Sequence, residues 1–322
     1  MSELPAELRT ALGTLLEGRG RGELAQRARH ISQQYRANTP SARAVAGSSD
    51  AVAYALSRMP ATFAATVAVL SELAARAPGF RAGTLLDAGS GPGTAAWAAS
   101  EVFADLGAVT LLDGNPAFLE LAGVLGDGHA VLGRAERRAG DITKFGLAGR
   151  RFDLVTCAYA LTELGDAELD AATDRLWAHC GGALAIIEPG RPRDYRRLML
   201  VRERLFAAGA RIVAPCPHQR PCPLATPDWC HFSVRLPRSR EHMRMKGATL
   251  PYEDEKFSYL VVARDTVAAT PAHGRIIGPP EASKFAVTLP TCGLEGVGKV
   301  LISKRDPEAF RRARRLDWGD PL

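Results

Sequence analysis

Four cysteines in the C-terminal half have the residue type and grouping most specific for chemistry. Cys216, Cys222 and Cys230 stand in one proline-rich segment, and Cys292 follows further along the chain. Several thiolates held close together repel one another unless a cation neutralises them, so this group predicts a metal site. The spacing lacks the C-x-x-C pairs of most structural zinc sites. Wide, uneven spacing with proline directly after cysteine favours an iron–sulfur cluster, which takes four thiolates around an object larger than one ion.

Zinc, a disulfide pair and four free core cysteines are the alternatives to a cluster. The chain opens without a basic-then-apolar leader, and no apolar run approaches the roughly 20 residues that span a bilayer. We therefore expect a cytoplasmic protein without a membrane segment. Thiols stay reduced in the cytosol, which favours a metal site over a disulfide framework. Cys157 and Cys180 lie in apolar surroundings and are predicted to be small core residues.

A glycine-rich segment that follows a short apolar run is the second signal. The run ends at Asp87, and Gly89, Gly91 and Gly93 alternate before an alanine-rich helical stretch. Glycines let the backbone turn sharply into a helix and approach a ligand closely. A carboxylate at this position would repel a pyrophosphate but suits the ammonium end of a methionine. The pattern therefore favours S-adenosylmethionine over a dinucleotide, with a mere tight turn as the alternative.

Further polar residues follow the next predicted strands. Asp113 ends an apolar run about 20 to 25 residues beyond the glycines, where an acid accepts hydrogen bonds from a ribose diol. Asp141 lies in a loop where an adenine amino group could be recognised, or it serves equally well as a helix cap or turn residue. Tyr159 and Glu163 follow a buried strand and are expected on the methyl-donor side, unless they only pack or cap.

Strands alternate with helices through the middle of the chain. This pattern predicts an α/β protein with a parallel, doubly wound sheet and its ligand at the strand C-termini, which is the class I S-adenosylmethionine-dependent methyltransferase (Rossmann-like) fold. A helical N-terminal region is expected over 1–80 and the methyltransferase core over 81–210. A Cys-rich metal-binding module with the last sheet strands, a β extension and a basic tail is expected over 211–322.

Several elements of the two added regions are predicted individually. Helices are expected over 4–17, 22–34 and 50–77, with Pro60 breaking the last one and Ser49-Asp50 capping it. The last two strands of the main sheet are expected at 232–236 and 257–263. In the β extension, strands are expected over 284–289 and 299–302, with Cys292 after a turn.

Positive charge is concentrated in two segments. The formal net charge is +6 with a pI near 9.1, and basic residues outnumber acids from Arg191 to Lys246 and again from Lys304 to Arg315. Arginine suits bidentate phosphate binding and stacking, so the surplus favours nucleic acid and structured RNA in particular. A merely solvated, arginine-rich surface is the alternative.

Several motifs together resemble a known family. They are Cys216-Pro217-His218, Cys222-Pro223, Trp229-Cys230-His231-Phe232, the segment 252–259 and Ser303-Lys304-Arg305-Asp306. The chain resembles, over most of its length, the methyltransferase-like proteins associated with the small ribosomal subunit in mitochondria and in many bacteria. The resemblance implies a class I methyltransferase fold, a four-iron four-sulfur cluster and binding to small-subunit ribosomal RNA during assembly. It implies cluster ligands at Cys216, Cys222, Cys230 and Cys292, and a methyl-donor site at Gly89, Gly91, Gly93 and Asp113.

The sequence does not decide whether the protein catalyses methyl transfer. Enzymes that methylate amino groups often carry an Asp/Asn-Pro-Pro-aromatic loop, and the corresponding stretch here is Thr156-Cys157-Ala158-Tyr159. Cys157 is the only candidate nucleophile, and nothing nearby in sequence lowers its pKa. The hypotheses are a methyltransferase acting on ribosomal RNA, protein or another substrate, and a non-catalytic, RNA-binding assembly factor with a cluster or zinc. We expect a monomer.

Overall fold

The computed structural model describes residues 3–36 and 44–322. Three helices precede the first strand in this part of the chain: α1 (Ala6–Thr14), α2 (Arg21–Arg36) and α3 (Ser48–Arg76). The predicted break at Pro60 is wrong, because α3 continues through it. Met59, Ala61 and Phe63 beside the proline are buried, and such packing outweighs the loss of one backbone donor.

The start of α3 also differs from the prediction. Gly47 occupies the N-cap position, and no side chain caps the helix. Asp50 instead accepts hydrogen bonds from Arg27 at 2.7 Å and from the Ala46 amide at 3.1 Å. The acid therefore ties α3 to α2. By length and composition alone α3 could cross a membrane, but 72% of its most apolar window is buried in the protein, as in a core helix.

An eight-stranded main sheet follows, in the order β3-β2-β1-β4-β5-β8-β6, with β7 paired to β8 off this path. Strands β1 to β5 are parallel, and β8 runs antiparallel to β5, β6 and β7. A parallel sheet with one reversed strand inserted before the last is the class I methyltransferase arrangement, so the predicted fold class is confirmed. The strands are β1 (Thr84–Ala88), β2 (Ala108–Asp113), β3 (Glu136–Ala139), β4 (Phe152–Ala158), β5 (Cys180–Pro189), β6 (Arg211–Ala214), β7 (Phe232–Pro237) and β8 (Tyr252–Ala263).

Helices connect these strands and cover the sheet. Asn115 caps one of them by accepting a hydrogen bond from the Ala117 amide at 3.0 Å. Both predicted late strands form, but β6 and not β7 takes the sheet's last position. β6 has only four residues, too few for a periodic pattern to be recognised. The helices are α4 (Thr94–Val102), α5 (Pro116–Gly126), α6 (Asp166–His179), α7 (Pro192–Ala207) and α8 (Arg240–Lys246).

A small second sheet and a final helix complete the C-terminal part. Strands β9 (Gly274–Ile276), β10 (Glu281–Ala282), β11 (Ala286–Gly293) and β12 (Gly296–Ser303) pair around β11, followed by α9 (Pro307–Ala313). The predicted β extension is confirmed, but Cys292 lies within β11 and before the turn. Its register partner is Arg275 in β9, which donates a hydrogen bond of 3.2 Å to the Pro215 carbonyl. This pairing places Cys292 beside the segment that carries the other three cysteines.

Candidate functional site

The glycine segment forms a tight loop between β1 and α4. The amides of Gly89 and Ser90 both donate to the Leu112 carbonyl, at 2.8 and 3.0 Å. Gly89 has φ +69°, and a Cβ there would lie 2.4 Å from the Ala160 Cβ. Gly91 and Gly93 also have positive φ, at +52° and +81°. Glycine is therefore required for both backbone conformation and close approach.

Asp113 ends β2 directly beside this loop. Its carboxylate accepts hydrogen bonds from the Gly91 amide at 2.7 Å and the Asn115 amide at 2.8 Å. Burial raises the pKa of Asp113, while these two amides act to lower it. Each carboxylate oxygen keeps a further lone pair, so the side chain can hold the loop and also accept from a ligand hydroxyl.

Asp87 lies deeper, at the end of β1. Its carboxylate accepts from the Thr156 hydroxyl at 2.9 Å and from the Ala96 amide at 3.2 Å, and the residue is 1% exposed. Burial raises the pKa of Asp87 to about 7, although both hydrogen bonds act to lower it. Asp87 thus joins β1 to β4 and to the first turn of α4.

Asp141 has the local contacts of a turn residue. Its Oδ1 accepts from the amide and the hydroxyl of Thr143, at 2.8 and 2.7 Å, and these bonds lower its pKa. The neighbouring Ile142 is buried, and its side chain lies 4.0 Å from where a Cβ on Gly89 would be. Ile142, which belongs to the same predicted adenine-site loop as Asp141, thus lies against the glycine loop as an apolar wall.

A polar cluster lies at the end of β4, and the sequence pattern did not predict it. The Tyr159 hydroxyl donates to the buried Glu255 at 2.9 Å, and Arg58 on α3 approaches the same carboxylate oxygen at 3.4 Å. Burial would lower the pKa of Arg58, but Glu255, Tyr54 and Tyr159 raise it, so the guanidinium stays charged. Residues separated by almost 200 positions meet here, and no local pattern reveals such a contact.

Two buried groups nearby bear on catalysis. Cys157 is fully buried, and burial raises the pKa of its thiol well above the usual value, with Glu188 and Asp87 acting in the same direction. Only a thiolate is nucleophilic, so this environment disfavours covalent catalysis through Cys157. Glu188 is 2% exposed and accepts from the Leu161 amide at 3.0 Å, and its second oxygen has no hydrogen-bond partner in the described part of the chain.

The four predicted ligand cysteines line one cavity. Three come from the segment between β6 and β7, and Cys292 comes from the second sheet. Burial raises the pKa of the Cys230 thiol well above its usual value, and the other three cysteines raise it further. Cys157 and Cys180 lie in the sheet core, as predicted. Across residues 3–36 and 44–322, no group of three or more His, Cys, Asp or Glu side chains is placed to hold a metal ion.

The basic segment 191–246 is less uniform than its composition indicates. Arg197 and Arg202 are buried. Arg204 pairs with Asp170 and Asp174, and Arg235 binds Asp254 through two bonds of 2.7 Å. Arg238 and Lys246 both pair with Glu253. The exposed basic residues without an ion pair among the described residues include Arg240 and Arg244 on α8, and Arg311, Arg312 and Arg315 near the C-terminus.

The sheet order and the glycine loop define a protein of the class I methyltransferase fold, with a four-cysteine cavity added beside its last strands. Residues 48–322 match the model of the family described as mitochondrial small ribosomal subunit Rsm22, and the chain belongs to that family. The predicted family is therefore confirmed.

Curated relatives support the same assignment. The chain is 29% identical over 285 residues to the human ribosome assembly protein METTL17, mitochondrial, covering 84% of this chain and 61% of the human protein. It is 25% identical over 325 residues to Rsm22-cox11 tandem protein 2, mitochondrial, of Schizosaccharomyces pombe, covering 84% of this chain and 42% of that protein. The chain thus spans less than two thirds of the length of these relatives.

Solved structures with a similar arrangement include two methyltransferases. One is magnesium protoporphyrin IX methyltransferase from Synechocystis PCC 6803 with bound SAH, at 14% identity and a TM-score of 0.41, covering 64% of this chain and 84% of that chain. The other is the N-methyltransferase NodS from Bradyrhizobium japonicum WM9, at 16% identity and a TM-score of 0.42, covering 65% and 89%.

The predicted cytoplasmic location is contradicted by these comparisons. The matched family and both curated relatives named above are described as mitochondrial. Reduced thiols are compatible with more than one reducing compartment, so composition does not specify the cytosol.

Proposed function

We propose that this protein is an S-adenosylmethionine-binding, methyltransferase-like factor that binds small-subunit ribosomal RNA during ribosome assembly and carries a four-iron four-sulfur cluster. The observation that carries the proposal is the convergence of Cys216, Cys222, Cys230 and Cys292 on one cavity beside a class I methyltransferase sheet. The family description and the name of the human relative support the ribosomal role.

The donor site in this proposal is the loop between β1 and α4. The backbone of Gly89, Gly91 and Gly93 would approach the methionine and ribose, and Asp113 at the end of β2 would accept from the ribose hydroxyls. Asp87 would stabilise the loop through the hydrogen bonds that it accepts from the Thr156 hydroxyl and the Ala96 amide. Asp141 and Tyr159 complete the proposed donor side, at the carboxyl ends of the next strands.

The chemistry of the cavity fits a cluster. Four thiols line it, and burial together with the neighbouring cysteines raises the pKa of the Cys230 and Cys292 thiols, which is the electrostatic condition that bound iron relieves. When bound, the cluster would cross-link the segment between β6 and β7 to β11. The residues of this chain that would hold it are Cys216, Cys222, Cys230 and Cys292. Zinc on the same thiols remains the alternative.

The RNA-binding surface in this proposal consists of the exposed, unpaired arginines and not of the whole basic segment. Arg240 and Arg244 on α8 and the arginines of 311–315 would contact phosphates. A folded RNA is recognised mainly through its backbone shape and its unstacked bases, so a rigid module with scattered cations fits it.

Three features favour a non-catalytic factor over an enzyme. The stretch Thr156–Tyr159 lacks the Asp/Asn-Pro-Pro sequence that polarises an amino group, and the thiol of Cys157 is held protonated by burial. Tyr159 is already bound to Glu255. A methyltransferase acting on ribosomal RNA or protein is the second candidate, favoured by the intact glycine loop and Asp113.

Three measurements on the full chain test the proposal. Anaerobically purified protein should be brown with a broad band near roughly 400 nm, as thiolate-bound clusters are. Replacing any one of the four cysteines by Ala should remove the band, whereas Cys180→Ala, a matched core control, should keep it. Colourless protein with one stoichiometric zinc would favour the alternative metal, and stable metal-free protein would contradict both.

The assembly role and catalysis are tested on particles. The protein should sediment with immature small subunits in a sucrose gradient, and its absence there would contradict the ribosomal role. Incubation with labelled methyl donor and the same particles decides between the two candidates: label in RNA or protein identifies an enzyme, and donor binding without transfer identifies a non-catalytic factor.

A further inference from the structure

Helix α7 places a hydroxyl group against the four-cysteine cavity. The Tyr195 side chain is buried, and its Oη lies 3.0 Å from the Sγ of Cys222, within hydrogen-bonding distance. A deprotonated sulfur can only accept, so the tyrosine is the donor whenever Cys222 is a thiolate. A hydrogen bond of this kind withdraws negative charge from the sulfur.

The same helix buries a positive charge beside the cavity. Arg202 is 2% exposed and donates to the Arg220 carbonyl at 2.5 Å, the same carbonyl that His218 of the cavity lining approaches at 3.1 Å. Its Nε has no hydrogen-bond partner, and no carboxylate pairs with it in the part of the chain that is described. A buried guanidinium without a counter-ion is costly, so the site is built for an anion.

Two other polar side chains of the cavity lining, Arg275 and His218, differ from Arg202 and Tyr195 in their partners. Arg275 is buried too, but it forms an ion pair with Glu72 and donates to the carbonyls of Pro215 and Gly319. His218 has Nδ1 3.1 Å from the Arg220 carbonyl, which can only accept. When the ring is neutral, Nε2 is therefore an acceptor, 3.8 Å from the Cys292 sulfur, and donates no hydrogen bond to it.

We propose that Arg202 and Tyr195 are positioning residues for the cluster, with Arg202 as the counter-charge of the thiolates and Tyr195 as the hydrogen-bond donor to the Cys222 sulfur. They lie seven residues apart, two helical turns, and so share one face of α7. Reduction adds an electron to an already anionic centre, and both groups stabilise the reduced form more than the oxidised one. Together they raise the reduction potential. This inference rests on the proposed cluster.

The test compares reduction potentials of anaerobically purified full-length variants by voltammetry, alongside iron and sulfide content. Arg202→Met should lower the potential by about 59 mV or more, a tenfold shift in the ratio of oxidised to reduced cluster for one electron. Tyr195→Phe, which keeps the ring, should lower it by a smaller amount. Arg202→Lys keeps the charge and should stay nearer the wild type. Arg204→Met is the matched control on the exposed face of α7, where Arg204 pairs with Asp170 and Asp174, and should leave the potential unchanged.

The outcomes separate this inference from the proposed function. A wild type that binds the cluster, with Arg202→Met and Tyr195→Phe at the wild-type potential, overturns the inference and leaves the cluster standing. If Arg202→Met loses the cluster, the reduction potential of Tyr195→Phe becomes the test. A wild-type potential in a fully loaded Tyr195→Phe protein overturns the inference. A wild type that takes up no iron and sulfide overturns the cluster and the inference together.

Discussion

The Tyr159 hydroxyl donates a hydrogen bond of 2.9 Å to the Glu255 carboxylate, which links the end of β4 to the first half of β8. Tyr159 adopts φ +58°, a left-handed conformation that costs a non-glycine residue about 1 to 2 kcal/mol. Arg58 reaches the same carboxylate from α3. The network therefore joins α3, the main sheet and the loop after β4.

The Arg58–Glu255 pair should be strongly coupled. Glu255→Gln leaves a largely buried guanidinium without its partner and should lower the free energy of unfolding by about 1 to 3 kcal/mol, less than for a fully buried pair because Arg58 keeps 28% side-chain exposure. Arg58→Met should have a similar effect. The double variant should lose less than the sum of the two, as urea denaturation in a double-mutant cycle would show. Strict additivity would mean that the two side chains do not interact.

Asp113→Ala should weaken S-adenosylmethionine binding by about 1.5 to 3 kcal/mol, the scale of a charge-assisted hydrogen-bonding partner. Affinity should fall for two reasons: the ligand loses a hydrogen-bond acceptor, and the loop loses the contact between Asp113 and the Gly91 amide. Calorimetry measures it directly, with Asp105→Ala as a control because Asp105 is exposed and pairs with Arg81 at 3.2 Å. Equal affinities in the two variants would mean that the ligand or its site is misassigned.

Gly89→Ala should cost more stability than left-handed strain alone. Gly149 has a similar φ, +74°, with nothing within 4 Å of an added Cβ, so Gly149→Ala measures the strain by itself, about 1 to 2 kcal/mol. At Gly89 the added methyl would overlap Ala160, adding about 1 to 3 kcal/mol and displacing the donor loop. Thermal unfolding and donor affinity should therefore both separate the two variants. Matching values would refute the predicted close approach at Gly89.

Glu188 should make the protein less stable as the pH rises. Burial, together with Asp194, raises the pKa of Glu188 to about 8. The folded protein thus keeps a proton that the unfolded chain releases near pH 4.3, and the free energy of unfolding falls by about 1.4 kcal/mol per pH unit between these values. Glu188→Gln lacks this contribution, so its stability relative to the wild type should increase steadily from pH 5 to 8. Urea midpoints at three pH values test this, and a constant difference would contradict it.

Exposed arginines should govern RNA affinity. Arg240→Glu combined with Arg244→Glu should weaken binding to small-subunit ribosomal RNA and reduce the slope of log affinity against log salt by about 1 per lost phosphate contact. Arg134→Glu, an exposed change beside β3 at the opposite side of the main sheet, is the control. An unaltered slope in the α8 variant would locate the RNA contact elsewhere.

Arg238 serves as a contrast to these two arginines. It pairs with Glu253 at 3.3 Å and is 15% exposed, so Arg238→Glu should chiefly destabilise the fold. The sequence does not predict this difference, because Arg238 lies in the same basic segment as Arg240 and Arg244.

The fold class, the glycine loop and the four-cysteine group could be predicted from residue order alone. Each depends on local order along the chain: alternating strands and helices, glycines after a strand, an acid at a strand end, and uncommon residues repeated within a short segment. The residue types at these positions are constrained by backbone conformation or by ligand chemistry. They can therefore be recognised without knowing which residues lie nearby in the folded protein.

Which charges are exposed and which side chains come into contact depends instead on the three-dimensional packing. Pro60 lies inside a continuous helix because its neighbours pack into the core, and Cys292 reaches the other cysteines through β-sheet register. The basic segment divides into buried, paired and exposed arginines according to acids far away in the sequence, such as Asp170 and Glu253. Burial and long-range pairing depend on how the whole chain packs, and a short stretch of sequence does not reveal this.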